Sequence, residues 1–264
     1  MGLKKQLEGV LPAGALPFVS DHFEVIGDIA VLSLPVELEL YGKIIAASIV
    51  AHRKNIYTVL NKNEQIRGPS RTARYEVLCG ETTVTVYREF GFMYRFDVTR
   101  SFFSTRLAYE RNRVTAQVEP GERVYVPFAG VGPFAIPAAA RGAEVWAVEM
   151  NPDAFRWLTE NIRLNHVETR CHARQGDALA VAALPVHRFD RIIIPAPYGM
   201  DHALDSFLPC LACGGMAHWY TFKTKEEIPA LLQEFESRGL TVTFYSDCGN
   251  VAPGVSRYVF DLAQ

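Results

Sequence analysis

The sequence predicts an α/β protein in which a mostly parallel sheet follows a small α+β domain. Three observations predict it. From about residue 120, short apolar runs rich in β-branched residues alternate with helix-length segments, the pattern of repeated βα units. The first run, Val124-Tyr125-Val126-Pro127, breaks into the turn Phe128-Ala129-Gly130-Val131-Gly132-Pro133 and then into the Ala-rich stretch 134–140. The second run, Glu144 to Glu149, ends in an acid. Glycine lacks a Cβ and takes positive φ, so such a turn lets a ligand lie against bare backbone. An acid at the end of the following strand is placed to grip ribose hydroxyls.

The elements follow in order. Residues 1–7 read as a short helix or a loose end, 23–34 as two strands about Gly27-Asp28, 38–52 as a helix and 58–60 as a short strand. Residues 61–74 are polar and contain Lys62, Arg67, Arg71 and Arg74 around Gly68-Pro69, which predicts a loop. The runs 75–78, 82–87 and 92–97 alternate with period two between turns at Gly80 and Gly91 and predict an antiparallel meander. The small domain is thus expected over residues 1–100 and the second over 101–264. In the second, Leu107 to Val118 has helical spacing. Strands are expected at 123–127, 144–149, 170–175, 190–195, 213–221, 241–247 and 255–262, and helices near 133–141, 152–165, 202–211 and 225–238. Repeated βα units closed by an antiparallel hairpin describe the Rossmann-like class I S-adenosylmethionine-dependent methyltransferase sheet.

Composition narrows the function. The chain has 264 residues, 49% of them hydrophobic, enough for a substantial core in one large or two modest domains. Formal net charge is −2, so no global basic signature marks a nucleic-acid binder. The halves differ mildly: residues 1–115 hold 15 Lys/Arg against 12 Asp/Glu, leaving 12 against 17 in the rest. Five cysteines are scattered, and Cys210-Leu211-Ala212-Cys213 has no second pair to complete a zinc site, so buried thiols and no metal are expected. No apolar run reaches the length of about 18 residues that a spanning helix needs, and no signal-peptide pattern opens the chain, which points to a soluble, cytoplasmic protein without a membrane partner.

Ligands of an open α/β sheet bind beyond the carboxyl ends of its strands. Four such ends are readable: the turn 128–133, Glu149 with Met150-Asn151-Pro152, Gln175-Gly176-Asp177-Ala178, and Pro195-Ala196-Pro197-Tyr198. A glycine turn followed by an acid fits a dinucleotide or S-adenosylmethionine. The turn lacks the full G-x-G-x-x-G, and S-adenosylmethionine has no pyrophosphate to cradle, so it is the expected cofactor. The candidate contacts are Phe128, Ala129, Gly130, Gly132, Glu149, Met150, Asn151, Asp177, Ala178 and Pro195, with Phe103 and Arg106 from the segment that joins the domains. That segment, residues 99–113, is basic and aromatic, which suits phosphate and base contacts. Its Glu110 is bracketed by arginines, and the spacing alone is met by a pair with Arg106 or Arg113 on a solvated helix face.

The motifs Phe-Ser-Thr-Arg-Leu-Ala-Tyr-Glu-Arg (103–111), Phe-Ala-Gly-Val-Gly-Pro-Phe-Ala-Ile-Pro (128–137) and Asn-Pro-x-Ala-x-x-x-Leu-x-x-Asn-Ile-x-Leu-Asn (151–165) resemble those of the archaeal and eukaryotic tRNA (guanine-N1)-methyltransferases. Their relatives, the wybutosine-pathway aminocarboxypropyl transferases, are also similar. His218-Trp219-Tyr220-Thr221-Phe222 and Ala252-Pro253-Gly254-Val255 extend the likeness over most of residues 20–264. The resemblance implies methylation of N1 of the guanine 3′ to the tRNA anticodon (position 37) or of a derivative of it. It implies Glu110 as the general base, Arg71 as a stabiliser of the transition state, and Glu149 and Asp177 as the ribose and adenine contacts. It implies tRNA as the partner, with Arg67, Arg74, Arg100, Arg111 and Arg113 as RNA contacts. The chain departs from the methyltransferase pattern at Val126, where an acid is usual, at Phe102, where an aromatic hydroxyl is common, and at Pro195-Ala196-Pro197, where Asn-Leu-Pro is usual. The length leaves no room for the extra N-terminal tRNA-recognition domain of some members, as in the aminocarboxypropyl transferases. A non-catalytic RNA-binding relative is the third expectation these departures motivate.

Overall fold

The computed structural model describes residues 2–63, 74–180 and 188–264. The chain divides into two compact units, Met1–Arg88 with Arg95–Phe102, and Glu89–Tyr94 with Phe103–Gln264.

The first unit begins with α1 (Leu3–Gln6), then β1 (Glu24–Ile26) and β2 (Ile29–Leu32), which pair antiparallel about Gly27-Asp28 as the turn residues predict. Helix α2 (Gly42–His52) carries the chain over to β3 (Thr58–Lys62), parallel to β2, because parallel neighbours need a crossover. Ile45, Ala46 and Ile49 on α2 are buried with Ala30, Leu32 and Val59 of the sheet, joined by Leu3, Leu7 and Leu11 from the start of the chain. Strand β4 (Tyr75–Cys79) adds antiparallel to β3, completing the order β1-β2-β3-β4.

Next come β5 (Val84–Glu89) and β6 (Phe92–Asp97), which form a two-stranded sheet of their own. The expected three-stranded meander is therefore corrected. Period-two alternation identifies strands but not their neighbours, and here the chain after β4 is tied to β3 instead. Gly80 (φ 99°) lies so close to β3 that a Cβ would sit 2.3 Å from Thr58 Oγ1, and that hydroxyl donates to Thr82 O at 2.9 Å. The β5–β6 turn has positive φ at both Phe90 (47°) and Gly91 (88°), as two-residue hairpins require.

The second unit holds α3 (Ala108–Ala116), β7 (Arg123–Pro127), α4 (Ala135–Ala140), β8 (Glu144–Glu149), α5 (Pro152–Leu164) and β9 (Cys171–Gln175). It continues through β10 (Phe189–Pro195), α6 (Ala203–Phe207), β11 (Leu211–Lys223), α7 (Ile228–Ser237), β12 (Thr241–Ala252) and β13 (Val255–Ala263). The seven strands run in the order β12-β13-β11-β10-β7-β8-β9, with only β13 antiparallel to its neighbours. This is the predicted methyltransferase sheet. Its order reverses between β7 and β10, the switch point where such sheets bind ligands. Val124 to Pro127 are all buried, as a strand covered on both faces must be. Tyr125 stacks on Phe189 (centroids 5.1 Å apart), and Trp219, Phe235 and Phe260 pack on the other side of the switch point. The helix expected at 202–211 is shorter: Pro209 sits in a 3₁₀ turn that ends α6, and β11 starts at Leu211, earlier than expected. Of the cysteines read as buried thiols, Cys171 is buried, while Cys213 is exposed on β11 beside Gly214 (φ 75°).

Candidate active site

The turn after β7 is built from backbone. Phe128 holds φ 55°, a left-handed conformation costly for a side chain with a Cβ, and its ring is held at 5.9 Å from Phe207. Ala129 N–H donates to Val148 O (2.9 Å), pinning the turn to β8. Gly130 N–H donates to Glu149 Oε2 (2.7 Å), and Asn151 N–H donates to Glu149 Oε1 (2.8 Å). The half-buried Glu149 carboxylate is thus aimed by two backbone amides. Asn151 caps α5 by accepting from Asp153 N–H (3.0 Å), with Pro152 at the first helical position, where its missing N–H costs nothing. Gly132 (φ 98°) permits close packing of α4 and α5: a Cβ there would meet Ile136 and Leu158 within 2.9 Å. Asn161, fully buried, donates to Val131 O (3.0 Å) and fixes the turn from α5.

The next carboxyl ends lie on either side. Met150 is half exposed after β8. After β9, Asp177 is exposed and accepts from Leu179 N–H (2.9 Å), while the buried Ala178 accepts at its carbonyl from Tyr125 O–H (2.9 Å). Pro195 ends β10 half-buried, in register with Tyr220 of β11.

Helix α3 brings Glu110 to the same edge. Its side chain is buried, not on a solvated face. Arg113 Nε donates to both Glu110 oxygens (3.1 and 3.0 Å), the partner that sequence spacing allows, and Tyr220 O–H reaches Glu110 Oε2 at 3.4 Å. Burial, then the Glu110 charge, keep the Tyr220 hydroxyl protonated far beyond neutral pH, so it acts as a donor. The Tyr220 ring also lies 5.4 Å from that of Phe134, which leads from the glycine turn into α4. Tyr220 thus touches both the glycine-turn segment and Glu110.

Behind Glu110 runs a buried chain of charges. The fork of Arg113 is taken by Asp261 (2.6 and 3.0 Å). Asp261 also bonds His218 Nδ1 at 2.7 Å, and His218 Nε2 bonds Arg191 at 2.7 Å. Arg191 in turn pairs with Glu122 (2.8 and 2.9 Å). Arginine only donates, so His218 accepts at Nε2 and carries its proton on Nδ1, toward Asp261. Burial depresses the ring's proton affinity and keeps it neutral. Burial alone would raise Asp261, but the bonds from His218 and Arg113 outweigh it and hold the carboxyl below the usual range. Because Asp261 occupies the fork, Glu110 faces one N–H instead of a bidentate clamp and keeps spare lone pairs.

Other expected residues separate. Arg111 is buried, with its guanidinium on Glu89 (2.7 and 2.5 Å) and Ser104 O (2.9 Å), stacked 4.8 Å above Phe103. Arg113 is spent on Asp261 and Glu110. Both guanidiniums expected at RNA are thus paired with carboxylates of the protein itself. Phe103 lies buried beneath Arg111 and presents little surface for a cofactor. Arg106 is exposed, and among the described residues no hydrogen bond or ion pair reaches it. In the first unit Arg74 is exposed, and Arg100 is exposed with Asp97 4.0 Å away. Arg67 and Arg71 lie outside the described residues. Sequence reasoning missed Asp261, Arg191 and the role of His218. The signal was available: charged groups inside strands otherwise apolar, as in Val259-Phe260-Asp261-Leu262, are kept there by partners.

Comparison with known proteins divides the chain near residue 84. The TRM5/TYW2 methyltransferase domain matches residues 85–239, and the TYW2 N-terminal domain matches residues 3–83. The tRNA (guanine(37)-N(1))-methyltransferase Trm5b of Pyrococcus abyssi is 38% identical over 206 residues, covering 78% of this chain and 61% of that protein. The chain therefore spans about three fifths of the length of this curated relative. The crystal structure of Trm5b superimposes with a TM-score of 0.84 at 33% identity, covering 96% of this chain and 78% of the other. Pyrococcus horikoshii TYW2 in complex with MeSAdo superimposes with a TM-score of 0.82 at 30% identity, covering 99% of this chain and 97% of the other. Among the described residues, no helix is long and apolar enough to cross a membrane.

Proposed function

As the chain belongs to the TRM5/TYW2 methyltransferase family, we propose that it is an S-adenosylmethionine-dependent tRNA methyltransferase acting in the cytoplasm on N1 of guanine 37 or of a derivative of that base. One observation carries the reading: Tyr220 joins a buried carboxylate, Glu110, to the glycine-turn segment at the carboxyl edge of the sheet.

The residues at that edge fit the cofactor. Glu149, aimed by two backbone amides, takes the ribose hydroxyls. Asp177 would hold the adenine amino group, and the small residues Ala129, Gly130 and Ala178 would let the nucleoside approach the backbone. When bound, S-adenosylmethionine supplies an electrophilic methyl carbon on a sulfonium. Glu110 would take the proton from N1, freeing that nitrogen's lone pair for the methyl carbon that S-adenosylmethionine would supply, with the neutral thioether as leaving group. Arg113, through one N–H shared between the two oxygens, and Tyr220, through its hydroxyl, hold the carboxylate in place, so it accepts the proton without first leaving a two-pronged clamp. General-base assistance of this kind is worth about 10²–10⁴ in rate. Arg71 is assigned the developing charge by resemblance, and the α+β domain over residues 1–100, with Arg67, Arg74 and Arg100, is assigned RNA contact.

A second reading keeps the cofactor and transfers its aminocarboxypropyl group. The match of residues 3–83 to the TYW2 N-terminal domain and the 97% coverage of the Pyrococcus horikoshii TYW2 chain favour it. Pro195, which has no side-chain amide to hold a guanine edge, favours it too. Mass spectrometry of tRNA incubated with the protein and S-adenosylmethionine separates the two. One added methyl mapped to the guanine 3′ to the anticodon supports the first. An added aminocarboxypropyl group replaces it with the second. No mass gain on either unmodified or modification-deficient tRNA rejects both.

A further inference from the structure

At the start of β13, Arg257 stands opposite Phe222 of β11, two residues beyond Tyr220 and thus at the carboxyl edge of the sheet. It is buried, only 9% exposed, with its guanidinium 5.0 Å above the Phe222 ring. Among the described residues, no hydrogen bond or ion pair reaches that guanidinium. Its principal electrostatic neighbours after burial are Cys248 and Tyr220, with Arg111 and Arg106 repelling it. Burial pushes the Cys248 thiol up to about 12 and Tyr220 well above its ordinary value, so both are neutral at pH 7 and give no counter-charge. A desolvated charge without a partner is costly unless an anion completes it. Every other buried arginine of this unit has its carboxylate: Arg111 has Glu89, and Arg191 has Glu122.

The place in the sheet says which anion. The order β13-β11-β10-β7-β8 puts Arg257 on the far side of β10 from Glu149, away from the ribose acid. The exposed Arg106 lies within its electrostatic reach. Tyr198, 68% exposed, sets its ring 5.2 Å from that of Phe222, which also carries the Arg257 guanidinium, and so offers an aromatic face close to that cation. Arginine next to an open aromatic ring is the usual equipment for holding a splayed, single-stranded nucleotide.

We propose that Arg257, with Arg106 beside it, holds a phosphodiester flanking the target nucleotide, the Phe222 ring keeping the guanidinium in place and Tyr198 receiving the adjacent base. This rests on tRNA being the substrate. Two N–H groups of a buried guanidinium reach two phosphate oxygens at once, a geometry lysine does not reproduce.

The test uses the whole chain and full tRNA transcripts. Arg257→Met keeps the apolar stem and removes the fork; Arg257→Lys keeps the charge alone. Both are titrated with tRNA across salt concentrations and, separately, with S-adenosylmethionine. A charge-assisted contact predicts a loss of about 10- to 100-fold in tRNA affinity for Arg257→Met. It also predicts a salt slope shallower by about one contact. Arg257→Lys recovers the slope but only part of the affinity. Cofactor affinity is unchanged, and the melting temperature does not fall, since an unpaired buried charge has been removed. A transcript with a neutral methylphosphonate beside the target guanosine binds the wild type as weakly as Arg257→Met binds normal tRNA, and Arg257→Met loses nothing further with it. Unchanged tRNA affinity overturns the proposal. So does a loss of cofactor affinity with an unchanged salt slope, which would give Arg257 to the cofactor carboxylate, or a fall in melting temperature, which would make it structural. If the wild type itself binds no tRNA, the substrate reading fails, and this site with it.

Discussion

Two regions of the second unit do opposite things with polar groups. At the end of β8 the chain builds with backbone: the Gly130 and Asn151 amides aim one carboxylate, that of Glu149. Between α3 and β13 it builds with side chains: Glu110, Arg113, Asp261, His218, Arg191 and Glu122 satisfy one another in sequence. The first arrangement is cheap, because turns have amides to spare. The second is expensive, because each ion has been desolvated. A carboxylate aimed by backbone suits binding, whereas a base must be held without being neutralised. Asp261 achieves this by taking the better side of Arg113.

Glu110→Gln bears most heavily on the base region. The amide holds the shape but cannot take a proton, and turnover is expected to fall by about 10²–10⁴. Unchanged single-turnover rates would leave Glu110 a structural ion and remove the distinction between the regions.

Next is the buried chain itself. Asp261→Ala strands Arg113 and removes the acceptor of His218, and denaturant unfolding is expected to show a loss of about 3–5 kcal/mol. Asp261→Asn, if it folds, lets the Arg113 fork move to Glu110 and lowers the rate more than it raises KM. Acid acts on the same chain. The folded-state proton affinity of His218 lies below its ordinary 6.5, and that of Asp261 below its ordinary 3.8. Their contribution to stability is therefore complete above those ordinary values and is lost as pH falls, His218 first, from about pH 6.5 downward. Urea midpoints measured from pH 8 to 5 should fall toward acid, and His218→Gln should flatten that fall. A midpoint independent of pH would contradict the buried neutral ring.

On the RNA side the effects are smaller. Arg111, paired with Glu89, should not contribute to the salt dependence of tRNA binding, whereas Arg100→Ala should make the slope shallower by about one contact. Equal slopes for Arg100→Ala and wild type would remove Arg100 from the RNA surface.

The two regions were also unequally legible in the sequence. The βα alternation, the glycine turn and the terminal acid Glu149 follow from local rules, and they fall on β7, α4 and β8 as expected. Strand partners did not: β4, β5 and β6 have the alternation of a meander, but Thr58 and Gly80 tie the chain to β3, a contact between distant residues that no local pattern encodes. The base region was half readable. Glu110 and Arg113 are three apart on one helix, so their pairing is a spacing argument. That the pair is buried depends on Asp261, 148 residues away from Arg113, and on His218 of a third element. The burial of Arg111 was hidden for the same reason, since Glu89, which pairs with it, precedes it by 22 residues.

The most direct test of the division is S-adenosylmethionine titrated calorimetrically into Glu149→Gln and Glu110→Gln side by side. Loss of a charge-assisted contact predicts about 10- to 100-fold weaker binding for Glu149→Gln. Glu110→Gln should bind as the wild type does. Equal weakening in both, or a loss confined to Glu110→Gln, would contradict an edge that binds through Glu149 and reacts through Glu110.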